Sequence, residues 1–283
     1  MIRLAVRVPA ARADEVLAAL LELAPSGVEQ VDRGEVVEFA VYGTPGELPE
    51  LAEGEAEVGG IRVSVSGTEV ADDWAERWKR FHVPVMVYRP GTNARSVGRF
   101  GETLYVRPPW EPAVVCEGVL DIAIDPGRAF GTGSHSTTRL CLELLLEHAA
   151  DGPVGSACDL GCGSGVLAIA AARLGYGPVV AFDSDPLATE ATQANAIANA
   201  VELDEIGRLN LREQPAPRAD LVMANLMRPL LLRVAALMSE RPPALIASGL
   251  LEEEADEVAA AFVPMREVGR VADKGWAALL LRI

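Results

Sequence analysis

The sequence predicts a two-part α/β protein: a small α+β domain over residues 1–70, then a mostly parallel sheet wrapped by helices and carrying an antiparallel edge strand. Three observations carry this. The first 65 residues read strand, helix, strand, strand, the order of a ferredoxin-like unit. From about Gly118 onward, short apolar runs alternate with helical patterns. The tail holds two more strand-like runs joined by a short turn, as where a parallel sheet receives an antiparallel strand. A length of 283 residues suits two domains better than one.

In the first domain, Ile2, Leu4, Val6 and Val8 alternate along IRLAVRV and so share one face of a strand. Val16, Leu17, Leu20 and Leu23 follow at helical spacing within Asp14–Leu23. Further strands are expected at Gly27–Val31, Val36–Val41 and Ile61–Val65. ADDWAERWKRF, residues 71–81, predicts a connecting helix with Trp74, Trp78 and Phe81 as an aromatic stripe. The second domain, residues 82–283, opens with a hairpin, Val83–Tyr88 and Glu102–Val106, around RPGTNARS. Its parallel strands are expected at Ala157–Leu160, Val179–Phe182, Asp220–Ala224 and Ala244–Ser248. Helices are expected at Ser164–Leu174, Pro186–Ala200 and Met227–Met238, with Asp185 and Pro186 forming a capped start. Arg266–Val271 and Trp276–Leu281 are the two terminal strands.

Composition narrows the function. Half of the residues are hydrophobic, which describes a globular chain with a sizeable core. No run approaches the ~18 apolar residues of a membrane span, and the N-terminus lacks a signal-peptide core, so a soluble, cytoplasmic protein is expected. Cys116, Cys141, Cys158 and Cys162 show no zinc-site pairing and read as reduced thiols. The three histidines, His82, His135 and His148, are too scattered for a metal cluster. The net charge of −16 disfavours a grip on nucleic acid and suits a basic polypeptide, although solubility alone also explains it. Residues 1–70 carry 13 acidic and 5 basic side chains, half of the whole deficit, concentrated in Glu47–Glu57. That run reads plainly as a solvated face and more sharply as a docking surface for a basic protein.

The chemistry centres on ACDLGCGSGVLAIAAARLG, residues 157–175. A short strand runs into Gly161, Gly163 and Gly165, and a helix begins at once; bare backbone of this kind makes tight turns and admits a ligand closely. Asp183 stands 22 residues past Gly161, at the end of the next strand, where a carboxylate accepts hydrogen bonds from ribose hydroxyls. A dinucleotide site wants a glycine where Val166 stands. Asp159, two residues before the loop, opposes a pyrophosphate but suits an ammonium group. S-adenosylmethionine offers both that ammonium and a ribose, so it is the expected cofactor.

DIAIDPGRAFGTGSHSTTRLCLELL (121–145), DLGCGSG, AFDSDPLATEATQANAIAN and DLVMANLMRPLLLRVAALM (220–238) together resemble the family that methylates protein L11 of the large ribosomal subunit. The likeness takes in the acidic N-terminal region, WKRF, RPPW, ASGLLEEEADEV and GWAALLL. It implies a class I, Rossmann-like methyltransferase that moves methyl groups to lysine or α-amino groups of a basic ribosomal protein, with the 1–70 domain recognising the substrate. It places cofactor contacts at Thr138, Gly161, Asp183 and Asn225; Asp159 and Gly163 join them from the loop reading. Thr138 also fits a plain helix N-cap, and Asn225 a turn residue. Ser134, Ser136 and Arg228 depart from the family pattern, as do two extra residues in Leu144–Ser156.

No histidine–carboxylate pair demands the role of general base, so positioning and desolvation should dominate. Asn225 is the expected catalytic residue, accepting a hydrogen bond from the incoming amine through its amide oxygen. Phe130, Thr132 and His135 are expected to line the entrance, His135 in a structural hydrogen bond. No metal, membrane or direct nucleic-acid partner is expected, and the protein should act as a monomer. Competing readings are methylation of another protein lysine or a small amine, a cofactor-binding module without activity and, weakest on charge, an RNA methyltransferase.

Overall fold

The computed structural model describes residues 2–23, 28–43, 48–49, 51, 54–69, 82–91, 103–126, 133, 135–151 and 154–283. The chain divides into two compact units, residues 1–81 and 82–283. The expected connecting helix, 71–81, lies outside the described residues, as do Phe130, Thr132 and Ser134.

The first unit runs β1 (Ile2–Pro9), a 3-10 turn (Ala10–Arg12), α1 (Ala13–Leu23), β2 (Glu29–Asp32), β3 (Val36–Gly43), β4 (Gly54–Val58) and β5 (Ile61–Glu69). Its five strands lie in the order β2-β3-β1-β5-β4, each pair antiparallel. The alternation in β1 works as expected: Leu4, Val6 and Val8 pack with Val37, Phe39, Val63 and Val65 against Val16 and Leu20 of α1. On the other face, Arg7 lies opposite Glu38 in register. Glu38 is only 1 % exposed and takes ion pairs from Arg3 (2.7 Å), Arg7 (2.6 Å) and Arg33 (3.1 Å). Part of the acidic run, expected between strands, is itself strand β4, and its Glu55 and Glu57 are exposed as on a solvated face. It pairs with β5 at the edge of the sheet and points Glu55 outward. Charge on a free edge strand discourages pairing with another chain.

Among the described residues the second unit forms two sheets. β6 (Val85–Tyr88), β7 (Thr103–Arg107) and β8 (Val119–Ala123) form a three-stranded sheet, the first pair antiparallel and the second parallel. The larger sheet follows: α2 (Ser136–Ala150), β9 (Ala157–Leu160), α3 (Val166–Arg173), β10 (Val179–Asp183), α4 (Pro186–Ala198), β11 (Glu205–Arg208), β12 (Leu221–Asn225), α5 (Arg228–Leu237), β13 (Ala244–Leu251), α6 (Ala255–Ala261), β14 (Arg266–Asp273) and β15 (Trp276–Arg282). Its order is β11-β10-β9-β12-β13-β15-β14. Alternate residues of β9 enter cores on opposite faces: Ala157 with α2 and α3, Cys158 and Leu160 with α5 and α6.

The sheet departs from the expected antiparallel edge strand. The antiparallel strand is not the edge: β15 pairs antiparallel with both β13 and β14 and so sits one place inside. Burial explains the order. Residues 277–281 of β15 are all buried, whereas β14 alternates exposed and half-buried positions, so the apolar strand takes the inner place. Lys274 and Gly275 (φ 52° and 81°) make the two-residue turn that reverses the chain.

Candidate cofactor and active site

Order along the larger sheet reverses at β9, which has β10 on one side and β12 on the other. The crevice at the carboxyl ends of two such strands is where open α/β sheets bind ligands. The glycine loop leaves β9 there, and Asn225 ends β12 beside it. Two depressions of about 610 and 490 Å³ share Asp220 and Pro243, which stand just before β12 and β13, and so lie at the opposite ends of the strands.

Gly161, Gly163 and Gly165 all have positive φ (73°, 53° and 81°), which only glycine adopts cheaply. The loop is tied on both sides. Gly161 and Cys162 donate their amides to the Phe182 carbonyl at 2.8 and 3.0 Å. Thr192 donates to the Gly163 carbonyl at 3.0 Å, and Asn195 to that of Ser164 at 2.9 Å. A Cβ at Gly165 would stand 3.1 Å from the Cα of Thr192, so α4 packs directly on the loop. One Asp183 oxygen accepts from the Gly163 amide at 3.1 Å, which joins the two expected contacts; the other accepts from Asp185 at 3.0 Å.

Asp159 is 1 % exposed. Gly165, the N-cap of α3, offers no side-chain cap. Asp159 Oδ2 does that work, accepting from the Ala168 amide at 3.1 Å. Its Oδ1 has no hydrogen-bond partner among the described residues. Burial pushes the carboxyl up to about 7, against the Ala168 hydrogen bond and aided by Asp183. A buried acid with one unused oxygen beside a glycine loop suits a cationic group.

Thr138 and Asn225 come together: the Asn225 amide nitrogen donates to the Thr138 hydroxyl at 3.3 Å. That leaves the Asn225 carbonyl oxygen as the end available to accept. Thr138 is buried and is not the N-cap of α2, so the plain capping alternative is corrected. His135 is the cap: its Nδ1 accepts from the Thr137 amide at 3.3 Å and lies 2.8 Å from the Thr137 hydroxyl. Its ring also meets Trp276 edge-on at 5.3 Å. A structural hydrogen bond is therefore what His135 makes.

Past Asn225, the Leu226 amide donates to the Ser248 carbonyl at 2.9 Å. Gly249 (φ 84°) sits in a bulge of β13; a Cβ there would stand 2.5 Å from the Leu226 carbonyl oxygen. The Leu226 side chain lies against Gly161, where a Cβ would overlap it. Arg228, which the sequence reading set apart from the family pattern, is paired with Glu254 at 3.1 Å and Glu257 at 2.6 Å. Two carboxylates thus offset a cation at a helix start, where the backbone dipole disfavours it.

Sequence reasoning assigned no role to Thr192, Asn195 and Asn199, which are almost fully buried. Asn199 exchanges hydrogen bonds with both backbone groups of Ala123, at 2.8 and 2.6 Å, and so ties β8 to α4. The signal was present: three polar residues share one face of an alanine-rich helix. Burial pushes the Cys162 thiol up to about 12, which leaves it no use as a nucleophile. Among the described residues no group of three or more His, Cys, Asp or Glu side chains could hold a metal ion. No described helix is long and apolar enough to cross a membrane.

A mostly parallel seven-stranded sheet with a glycine loop at its reversal point defines the class I S-adenosylmethionine-dependent methyltransferase fold. The chain belongs to the ribosomal protein L11 methyltransferase (PrmA) family, whose profile matches residues 47–283. It is 41 % identical over 221 residues to the ribosomal protein L11 methyltransferase of Pelotomaculum thermopropionicum, a match covering 75 % of this chain and 66 % of that protein. It is 45 % identical over 170 residues to the one from Cupriavidus necator, covering 59 % of this chain and 54 % of the relative. The matches thus span less than two thirds of either relative's length. A crystal structure of ribosomal protein L11 methylase from Lactobacillus delbrueckii subsp. bulgaricus superposes with a TM-score of 0.55 at 29 % identity, covering 63 % of this chain and 93 % of that one.

Proposed function

We propose that the chain transfers methyl groups from S-adenosylmethionine to lysine or α-amino groups of ribosomal protein L11, in the cytoplasm. The observation that carries this reading is the arrangement at the reversal point: a loop of three glycines between Asp159 and Asp183, with Asn225 beside it on the next strand. When bound there, the cofactor supplies a methyl group already activated by its sulfonium.

The residues divide the work. Asp183 accepts hydrogen bonds from the ribose hydroxyls, and the bare backbone of Gly161 and Gly163 admits the cofactor closely. Asp159 supplies negative charge for the ammonium of the methionine end, and Thr138 meets its carboxylate at the start of α2. Asn225, with its nitrogen held by Thr138, turns its carbonyl oxygen to the incoming amine and aims the nitrogen lone pair. The amine must arrive neutral although a free lysine has a pKa near ~10.4; a dry site and a neighbouring positive charge both lower it. Direct displacement then needs alignment within about 3–3.5 Å and no general base.

The N-terminal unit serves substrate recognition in this reading. Its strand order around β1 and the placement of α1 directly after β1 support a ferredoxin-like unit with β4 added at the edge. Glu55 and Glu57 are exposed on that edge and favour a basic partner.

Incubating the protein with labelled cofactor and undermethylated ribosomal proteins tests the whole reading. Label should enter L11. Label only in ribosomal RNA, or bound cofactor with no label transferred, overturns it. Reversing the edge charge, Glu55→Lys with Glu57→Lys, should raise the KM for the protein substrate about tenfold and leave cofactor affinity unchanged. An unchanged KM removes the acidic edge from substrate recognition.

A further inference from the structure

The C-terminal hairpin touches the start of α2 at three points. Asp273, the last residue of β14, accepts from the Ser136 hydroxyl at 2.6 Å and from the Arg139 guanidinium at 2.5 Å, both on the same oxygen. Trp276, the first residue of β15, meets His135 edge-on. The turn between them is anchored in its own right, because the Gly275 carbonyl accepts from the Glu252 amide at 3.0 Å, at the end of β13. Ser136 and Arg139 lie three residues apart and share one face of the helix. Thr138 projects from a different face, into the sheet, where it meets Asn225.

We infer that Asp273 is a positioning residue for methyl transfer: through Ser136 and Arg139 it fixes the rotation of the first turn of α2, and thereby the hydrogen bond from Asn225 to Thr138. The inference rests on the proposed reading of the site. Asp273 itself touches neither Thr138 nor Asn225.

The geometry makes the bond sensitive. With side chains reaching about 5 Å from the helix axis, a turn of roughly 10° moves the Thr138 hydroxyl by about 1 Å. At 3.3 Å the Asn225–Thr138 contact already lies at the long end of a hydrogen bond, and another ångström abolishes it. The Asn225 amide is then free to rotate and present its nitrogen, the wrong end, to the amine. The Ser136 hydrogen bond and the Arg139 charge together hold the Asp273 carboxyl below the usual carboxylate range, so the clamp is ionised at neutral pH. Arg139 in turn lies 3.7 Å from Glu143, one helical turn further on.

Coupling to Asn225 separates positioning from mere support. Single-turnover transfer to L11 is measured with labelled cofactor in the unmodified chain, Asp273→Ala, Asn225→Ala and the double variant, with melting temperatures alongside. Asp273→Ala should slow transfer about tenfold in the unmodified background and not at all in the Asn225→Ala background, while lowering the melting temperature equally in both. Asp273→Asn keeps an acceptor for Ser136 and should recover at least about a third of the rate. Ser136→Ala removes one arm only and serves as the second probe if Asp273→Ala does not fold; about a threefold loss, again confined to the background that retains Asn225, is expected. Equal slowing in both backgrounds, or no slowing, overturns the positioning role while the unmodified chain stays active. An unmodified chain that transfers no methyl group overturns the reading of the site itself.

Discussion

Asn225 arrives at the carboxyl end of β12 with its amide nitrogen already committed to Thr138, so one hydrogen bond leaves the carbonyl oxygen as the end available to accept. Removing it, Asn225→Ala, should lower kcat about a hundredfold, measured under saturating cofactor. Asp183→Ala should act differently, weakening cofactor binding by at least about tenfold in calorimetry, because a ribose would lose its charged acceptor. Asp159 adds a pH dependence. Its folded pKa is raised to about 7, so a cationic ligand that needs the ionised form must expel a proton below that pH. Cofactor affinity should therefore fall as pH drops from about 7.5 to 6, and Asp159→Asn should flatten the profile. His135, whose Nδ1 accepts from the Thr137 backbone, is engaged in capping α2.

At the scale of elements, the parallel core was legible because its strands are continuous apolar runs and because α4 begins with a recognisable cap. Ala157–Leu160 came out at its observed bounds, and Asp185 caps α4 as expected, accepting from the Leu187 amide at 2.9 Å. What escaped were short, polar pieces whose identity comes from their neighbours. EIGR of β11 becomes a strand only by lying against Val180–Asp183, and GEAEV of β4 only by pairing with β5. β8 gave no periodic signal over five residues, and α6 is too short to show one. In the site, the glycines and carboxylates could be picked out by chemistry, whereas the contact of Asp273 with α2 joins residues 137 positions apart and has no local signature. Gly249 was equally silent, yet its backbone lies against Leu226 with no room for a side chain. Gly249→Ala should destabilise the second unit by about 2 kcal/mol, read from denaturant unfolding. An unaltered midpoint would mean that the two loops separate freely.

Across the whole molecule the two units carry buried acids of opposite behaviour. Glu38, with Arg3, then Arg7 and Arg33 donating to it, has its carboxyl lowered from 4.5 to about 2. The stability it contributes is complete above the unfolded value and is lost as pH falls through the folded one. The first unit should thus weaken between about pH 4.5 and 2, and Glu38→Gln should remove that dependence in calorimetric scans. Asp159 has the reverse sign: its raised pKa favours the second unit at low pH and costs stability as pH climbs toward about 7.

The insertion of β15 inside β14 also decides what one copy of the protein shows another. A hydrophobic rib left at the rim of a seven-stranded sheet would invite chains to zip together side by side. Here the rim is Arg266–Asp273, with Arg270 held between Glu267 and Asp256, and the far rim is a four-residue stub bearing Glu205 and Arg208. Both borders of the sheet are short or salted with charge, which discourages another chain from adding a strand there.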